Sequence, residues 1–198
     1  YISHCLVVSS LPGSYVFSEG YKAGESGAVG FSESARPISY VYQAHKPIVA
    51  GEMMKIDLGI YGKGGYCTDL CRTAFAIRPS KTLKNAYIEF YDMYFRCLGY
   101  LKPGLKVSKM DKLCRQQVKE LGYGDYRLII GHGIGIRDFE APMLPTPGDI
   151  FDDVTLEKNM VVCIEFHLSN SGMPMGLEDT ILITDKGYTT LTKTDYGI

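Results

Sequence analysis

Apolar residues in the first third of the chain fall in short β-prone runs, Cys5 to Ser9, Tyr15 to Ser18, Met53 to Ile60 and Ala74 to Ile77, separated by glycine-rich stretches such as Glu19 to Gly30. Such runs predict strands joined by turns. The period then changes. From Ser80 to Leu101 the apolar positions recur at helical spacing, with Ser80 as a cap and Pro103-Gly104 as a stop, and a second amphipathic helix is expected from Ser108 to Leu121, closing at Gly122. The last third returns to strands at Leu128 to Ile130, Met160 to His167, Asp179 to Thr184 and Thr189 to Thr192, with a Pro/Gly-rich loop from Ala141 to Gly148. Helices grouped between strands, rather than alternating with each one, predict an α+β fold.

Composition narrows the partners. At 198 residues, with 45% hydrophobic and 22% charged content, the chain is long enough for one well-buried core and is expected to form a single domain over 1–198. A net charge of -1 gives no basic footprint, which argues against nucleic acid and acidic membranes and for a small-molecule or short-peptide substrate. No apolar run approaches the roughly 20 residues of a bilayer span, and the first residues lack the layout of a signal peptide, so a soluble, cytoplasmic protein is expected. Six cysteines without a dense framework read as free thiols in a reducing compartment. The chain starts at Tyr1 and runs at once into an apolar stretch, so it is expected to be the C-terminal part of a longer chain.

Five residues change the picture: Asp57, Asp69, His132, Glu165 and Glu178 each lie on a short apolar segment. A carboxylate on such a segment is costly to bury unless something neutralises it, and four beside one imidazole point to a pair of metal ions. Oxygen and imidazole donors favour two divalent ions of the Mn, Fe, Co or Zn kind, able to activate a shared water against an amide carbonyl. Asp57 and Asp69 are 12 positions apart, which fits a hairpin turning between Ile60 and Gly65; the spacing of 13 between Glu165 and Glu178 fits a second. The plainer alternative is a set of turn carboxylates and one satisfied core histidine.

In order along the chain, IDLG, YCTDLCRT, GHGIG, a strand ending IEF, and GLEDTILITDKGYTTLT resemble the pita-bread metallopeptidases: methionine aminopeptidase, X-Pro aminopeptidase, prolidase and creatinase. The likeness runs from about Val49 to Thr192. It implies an antiparallel curved sheet covered by helices, with Asp57, Asp69, His132, Glu165 and Glu178 as metal ligands, Asp69 and Glu178 bridging, and Thr73 supporting a ligand carboxylate. It also implies an additional N-terminal domain and a homodimer.

The departures are equally specific. Phe139 stands where those peptidases carry a second histidine, and another of their histidines would fall near Ser39 or Tyr40. Gly176 replaces a frequent arginine and Phe166 a frequent proline. The metal cage is kept while the substrate-facing residues change. His167, two positions after Glu165 and so on the same strand face, is the leading replacement acid/base, with Tyr40, Tyr42 and Asp138 as further candidates. His4 and His45 read as surface residues, and Cys67 and Cys71 as packing beside Asp69. Three readings follow: an aminopeptidase- or X-Pro-type metallohydrolase, a lyase or other non-peptidase enzyme, and a non-catalytic binding protein on the same fold.

Overall fold

The computed structural model describes residues 15–22, 52–61, 64–75, 78–124, 129–144, 153–170 and 173–197. The expected strand at Cys5 to Ser9 lies outside them, as do Tyr40, Tyr42, His4 and His45. Eight strands, β1 (Tyr15–Lys22), β2 (Glu52–Tyr61), β3 (Cys67–Phe75), β4 (Gly131–Gly133), β5 (Glu140–Leu144), β6 (Val161–Asn170), β7 (Met173–Thr184) and β8 (Gly187–Thr190), form one sheet. The order is β1-β2-β3-β7-β6-β4-β5, with β8 on β7 and every described pairing antiparallel. Helices α1 (Lys81–Leu98) and α2 (Val107–Glu120) follow β3.

Most boundaries match the hydrophobic pattern, and the exceptions have physical reasons. The Ser80 hydroxyl caps α1 by accepting from Leu83 N at 3.2 Å. The expected loop from Ala141 is a strand as far as Leu144, because Pro142 falls at a register shift between His132 and Gly133 where the ladder needs no N–H. Of the strand expected at Leu128 to Ile130, Leu128 lies outside the described residues and Ile129 and Ile130 precede β4, which begins at Gly131. β3 starts at Cys67 and β7 at Met173, earlier than their most apolar stretches, because polar residues on one face of each strand interrupt the apolar run.

One sheet face is apolar and carries the helices. Tyr87, Phe90, Met93, Tyr94 and Leu98 of α1 and Met110, Cys114 and Val118 of α2 pack with Val162, Ile164, Phe166, Leu177, Ile181 and Ile183 in a continuous core. The alternate residues of β6 and β7, Cys163, Glu165, His167, Gly176, Glu178 and Thr180, occupy the opposite face.

The two hairpins β2–β3 and β6–β7 meet at a narrow seam. Cys71 and Glu178 are the registered pair between β3 and β7. On either side a threonine hydroxyl bridges the strands. Thr73 Oγ1 donates to Gly176 O (3.0 Å) and accepts from Gly176 N (2.9 Å); Thr180 Oγ1 donates to Asp69 O (2.8 Å) and accepts from Asp69 N (3.2 Å). Thr73 therefore supports the backbone of the seam rather than a ligand carboxylate. From the helix side, Arg72 donates through one guanidinium nitrogen to the carbonyls of both Cys71 (2.8 Å) and Glu178 (2.6 Å).

Thr73→Val keeps the shape but leaves the buried N–H and C=O of Gly176 unpaired, so a loss of about 2–4 kcal/mol in urea unfolding is expected, against under ~1 kcal/mol for Thr73→Ser.

Candidate metal centre

The seam arranges the polar face into three rows of facing residues. One row runs Gly59, Asp69, Thr180, Cys163, His132; the next runs Asp57, Cys71, Glu178, Glu165; the third runs Lys55, Thr73, Gly176, His167. Side chains directly opposite or one row apart on a sheet face are close enough to touch. All five expected ligands are thereby brought together. The coordinating atoms of Asp57, Asp69 and Glu178 lie within 4.8 Å of one another, as do those of Glu165, His167 and Glu178.

His132 is fully buried on β4, and its orientation is fixed from three sides. Its Nδ1 lies 3.0 Å from Gly133 O, and because a carbonyl only accepts, Nδ1 donates there and Nε2 faces the carboxylates. Nε2 is 3.7 Å from Glu165 Oε1 and 3.6 Å from Glu178 Oε1. Phe139 stacks on the ring, centroids 3.8 Å apart and planes at 20°. Gly131 and Gly133 let β4 lie this close to its neighbours: a Cβ would sit 2.3 Å from Cys163 O at the first and 2.2 Å from Ala141 O at the second.

The other candidates take distinct places. His167 Nε2 is 2.6 Å from Glu165 Oε2 and 3.9 Å from Asp57 Oδ2. Asp138 is half-buried near the cage, and its charge bears on both Asp57 and Glu178. Cys67 donates to Ile136 O at 3.6 Å. Cys71 and Cys163 lie among the ligand candidates, but burial, together with the charges of Asp57 and Glu178 respectively, pushes both thiols well up. Sequence reasoning gave no role to Lys55. Its stem crosses the sheet to cover Gly176, where a Cβ would lie 2.6 Å from Lys55 Cδ, and its positive charge bears on Asp57 and Glu165. The available signal was its position two residues before Asp57.

Adjacent acids on β7 show what the cage asks for. Asp179, on the helix face, is fully provided for: Arg72 (2.5 Å) and Thr192 (2.5 Å) reach Oδ1, and Tyr94 (2.8 Å) and Tyr196 (3.0 Å) reach Oδ2. On the other face, Glu178 Oε1, Glu165 Oε1, Asp57 Oδ1 and His132 Nε2 are buried without a hydrogen-bond partner. Such atoms are expensive to bury unless a cation sits among them, and the donor set suits a divalent ion. Burial, reinforced by Asp69, Glu165 and Asp57, pushes the Glu178 carboxyl well up; burial also raises Asp57. Burial acts the same way on Glu165, but the His167 hydrogen bond and charge, with His132 and Lys55, outweigh it and hold that carboxyl low.

The sheet, its helices and this cage define a pita-bread metallopeptidase fold. The match to the model of metallopeptidase family M24 covers residues 13–185, and the chain belongs to that family. It is 33% identical over 154 residues to a Xaa-Pro dipeptidase of Pyrococcus furiosus, covering 76% of this chain and 42% of that protein. It is 31% identical over 181 residues to an uncharacterized peptidase, YqhT, of Bacillus subtilis, covering 90% of this chain and 50% of the relative. The chain thus spans half or less of the length of these relatives. Among solved structures, the Pyrococcus furiosus prolidase superposes with a TM-score of 0.67 at 32% identity, covering 76% of this chain and 44% of that one. An X-Pro aminopeptidase of Thermotoga maritima gives 0.72 at 24% identity, covering 93% and 47%, a likeness of fold.

Glu178 is more easily kept neutral in the folded protein than in the unfolded chain. Its contribution to stability is therefore full below the ordinary glutamate value of about 4.3 and is lost as pH rises through the raised folded value. Asp57 acts in the same direction; Glu165, held low, acts below the ordinary value instead. With chelator present, the melting temperature is expected to fall as pH rises above that point, and Glu178→Gln to flatten the fall.

Proposed function

We propose that the protein is a dinuclear metal-dependent hydrolase that cleaves an amide in a short peptide, with an X-Pro bond as the leading substrate. The observation that carries this reading is the set of buried, unsatisfied atoms of Asp57, Glu165, Glu178 and His132 converging on one space, in a chain whose relatives include a Xaa-Pro dipeptidase. Asp57, Asp69, His132, Glu165 and Glu178 would hold the ions. When bound, a divalent pair supplies Lewis acidity and an acidified water as nucleophile.

The chain's own residues set the terms of that chemistry. The hydrogen bond between His132 Nδ1 and Gly133 O and the Phe139 stack hold one imidazole ready to ligate without a search over rotamers. The bond that breaks needs a proton for its leaving amine, and among the described residues Asp138, His167 and Lys55 are ionisable groups beyond the five positioned near the cage to hold one. Phe139 and Gly176 give the substrate side of the site a different surface from the one the family resemblance implies, so a different side-chain preference from prolidase is expected. No helix among the described residues is long and apolar enough to cross a membrane. Five free cysteines among them support residence in a reducing compartment, and a homodimer is what the family resemblance implies.

Purified protein reconstituted with Mn, Fe, Co or Zn is expected to turn over X-Pro or N-terminal peptides and to lose that activity with chelator. Asp69→Asn and Glu178→Gln should each lower kcat/KM by about 100-fold or more. Two bound ions by elemental mass spectrometry with no turnover across the peptide panel would reject the peptidase reading and retain the metalloenzyme.

A further inference from the structure

Glu165 lies between two imidazoles. Its Oε1 faces His132 Nε2 at 3.7 Å, and its Oε2 faces His167 Nε2 at 2.6 Å. His167 also reaches Asp57 Oδ2 at 3.9 Å, while His132 reaches Glu178 Oε1 at 3.6 Å. Glu165 is thus approached from both sides of its row, by His132 on one side and His167 on the other.

Three features make the His167 end as suited to a cation as the His132 end. The ligand atoms of Glu165, His167 and Glu178 fall within 4.8 Å of one another, and so do those of Asp57, Cys71 and His167. Asp57, which His167 reaches, has its Oδ1 buried without a hydrogen-bond partner, and Glu165 and Glu178 are 6% and 1% exposed. Opposite His167 in the ladder stands Gly176, which puts no side chain between the imidazole and the carboxylates, while the Lys55 stem and Cys71 Sγ occupy the volume above it. An imidazole nitrogen and a carboxylate oxygen close enough to share a proton are close enough to share a metal ion, since both bond to such ions at about 2.0–2.2 Å.

We propose that His167 is a metal ligand, the sixth of the cage, binding the ion held by Asp57 while His132 binds the other. This rests on the metalloenzyme reading above and goes beyond the five-ligand set. It takes His167 out of proton transfer, leaving Asp138 and Lys55, among the described residues, as groups near the cage for that task. It also gives each ion a nitrogen donor, which shifts the second position from hard ions served by oxygen alone toward the borderline class of Zn, Co and ferrous iron.

The test loads the full chain with Co²⁺ and records proton NMR in water. An imidazole bound through Nε2 to paramagnetic Co²⁺ shows its Nδ1–H as an exchangeable resonance far outside the diamagnetic range. The expected spectrum loses one such resonance in His132→Gln and a different one in His167→Gln, and titration of His167→Gln shows the second ion weakened by more than the roughly 10- to 100-fold that loss of an outer partner costs. Two bound ions with every shifted resonance surviving in His167→Gln would overturn the proposal and return His167 to acid/base chemistry. Failure of the wild-type chain to bind Co²⁺ would overturn it together with the metalloenzyme reading. Wild-type spectra carry the first comparison, so a poorly folding variant is recognised by the loss of all shifted resonances.

Discussion

The structure depends on how β3 is held to β7. Each hairpin, β2–β3 and β6–β7, is stabilised by its own ladder, but neither contains a complete site: one holds Asp57 and Asp69, the other Glu165 and Glu178. Only the seam joins them. There the main chains do not simply run on in register; two threonine hydroxyls each answer both the N–H and the C=O of the residue across, symmetrically about Cys71 and Glu178. A hydroxyl that donates and accepts at once satisfies the backbone of a strand pair while holding it slightly apart. The Arg72 guanidinium fastens the same two residues from behind.

The two faces of that seam solve opposite electrostatic problems. Behind it, Arg72 and Asp179 form a buried pair whose cost is offset by further hydrogen bonds and by the Tyr196 ring, 4.3 Å from the guanidinium carbon. In front, acids of the same strands are gathered with too little positive charge. The rigidity created behind is what keeps the carboxylates in front from spreading apart to reach water. A region of repulsion is thus built on a region of unusually complete satisfaction.

Much of this was legible in the sequence. The spacing of 12 between Asp57 and Asp69 predicted a hairpin, and the ladder places Asp69 opposite Gly59, two residues from Asp57 on the same face; Glu165 and Glu178 fall directly opposite one another. Period-two placement of His167 beside Glu165 was likewise sufficient to put both on one face. What remained hidden depends on distant pairing. Nothing local in YCTDLCRT shows that Arg72 and Thr73 will serve the seam, because their partners Glu178 and Gly176 lie more than a hundred positions away. The edge strand at Glu140–Leu144 was hidden for a related reason: its proline, Pro142, reads as loop until the register shift in β4 is known. Lys55 was overlooked because a lysine next to a strand carboxylate looks solvent-exposed when its neighbours across the sheet are unknown.

Gly176 and Lys55 sit on strands that are not neighbours, yet they occupy one volume: a Cβ at 176 would fall 2.6 Å from Lys55 Cδ and from Cys71 Sγ. The two positions are therefore sterically coupled: a longer side chain at 176 and the lysine stem in its present place exclude one another. A positive charge beside the cage can thus be delivered from β2 only because β7 yields the room, and which strand supplies it is settled by a single missing Cβ.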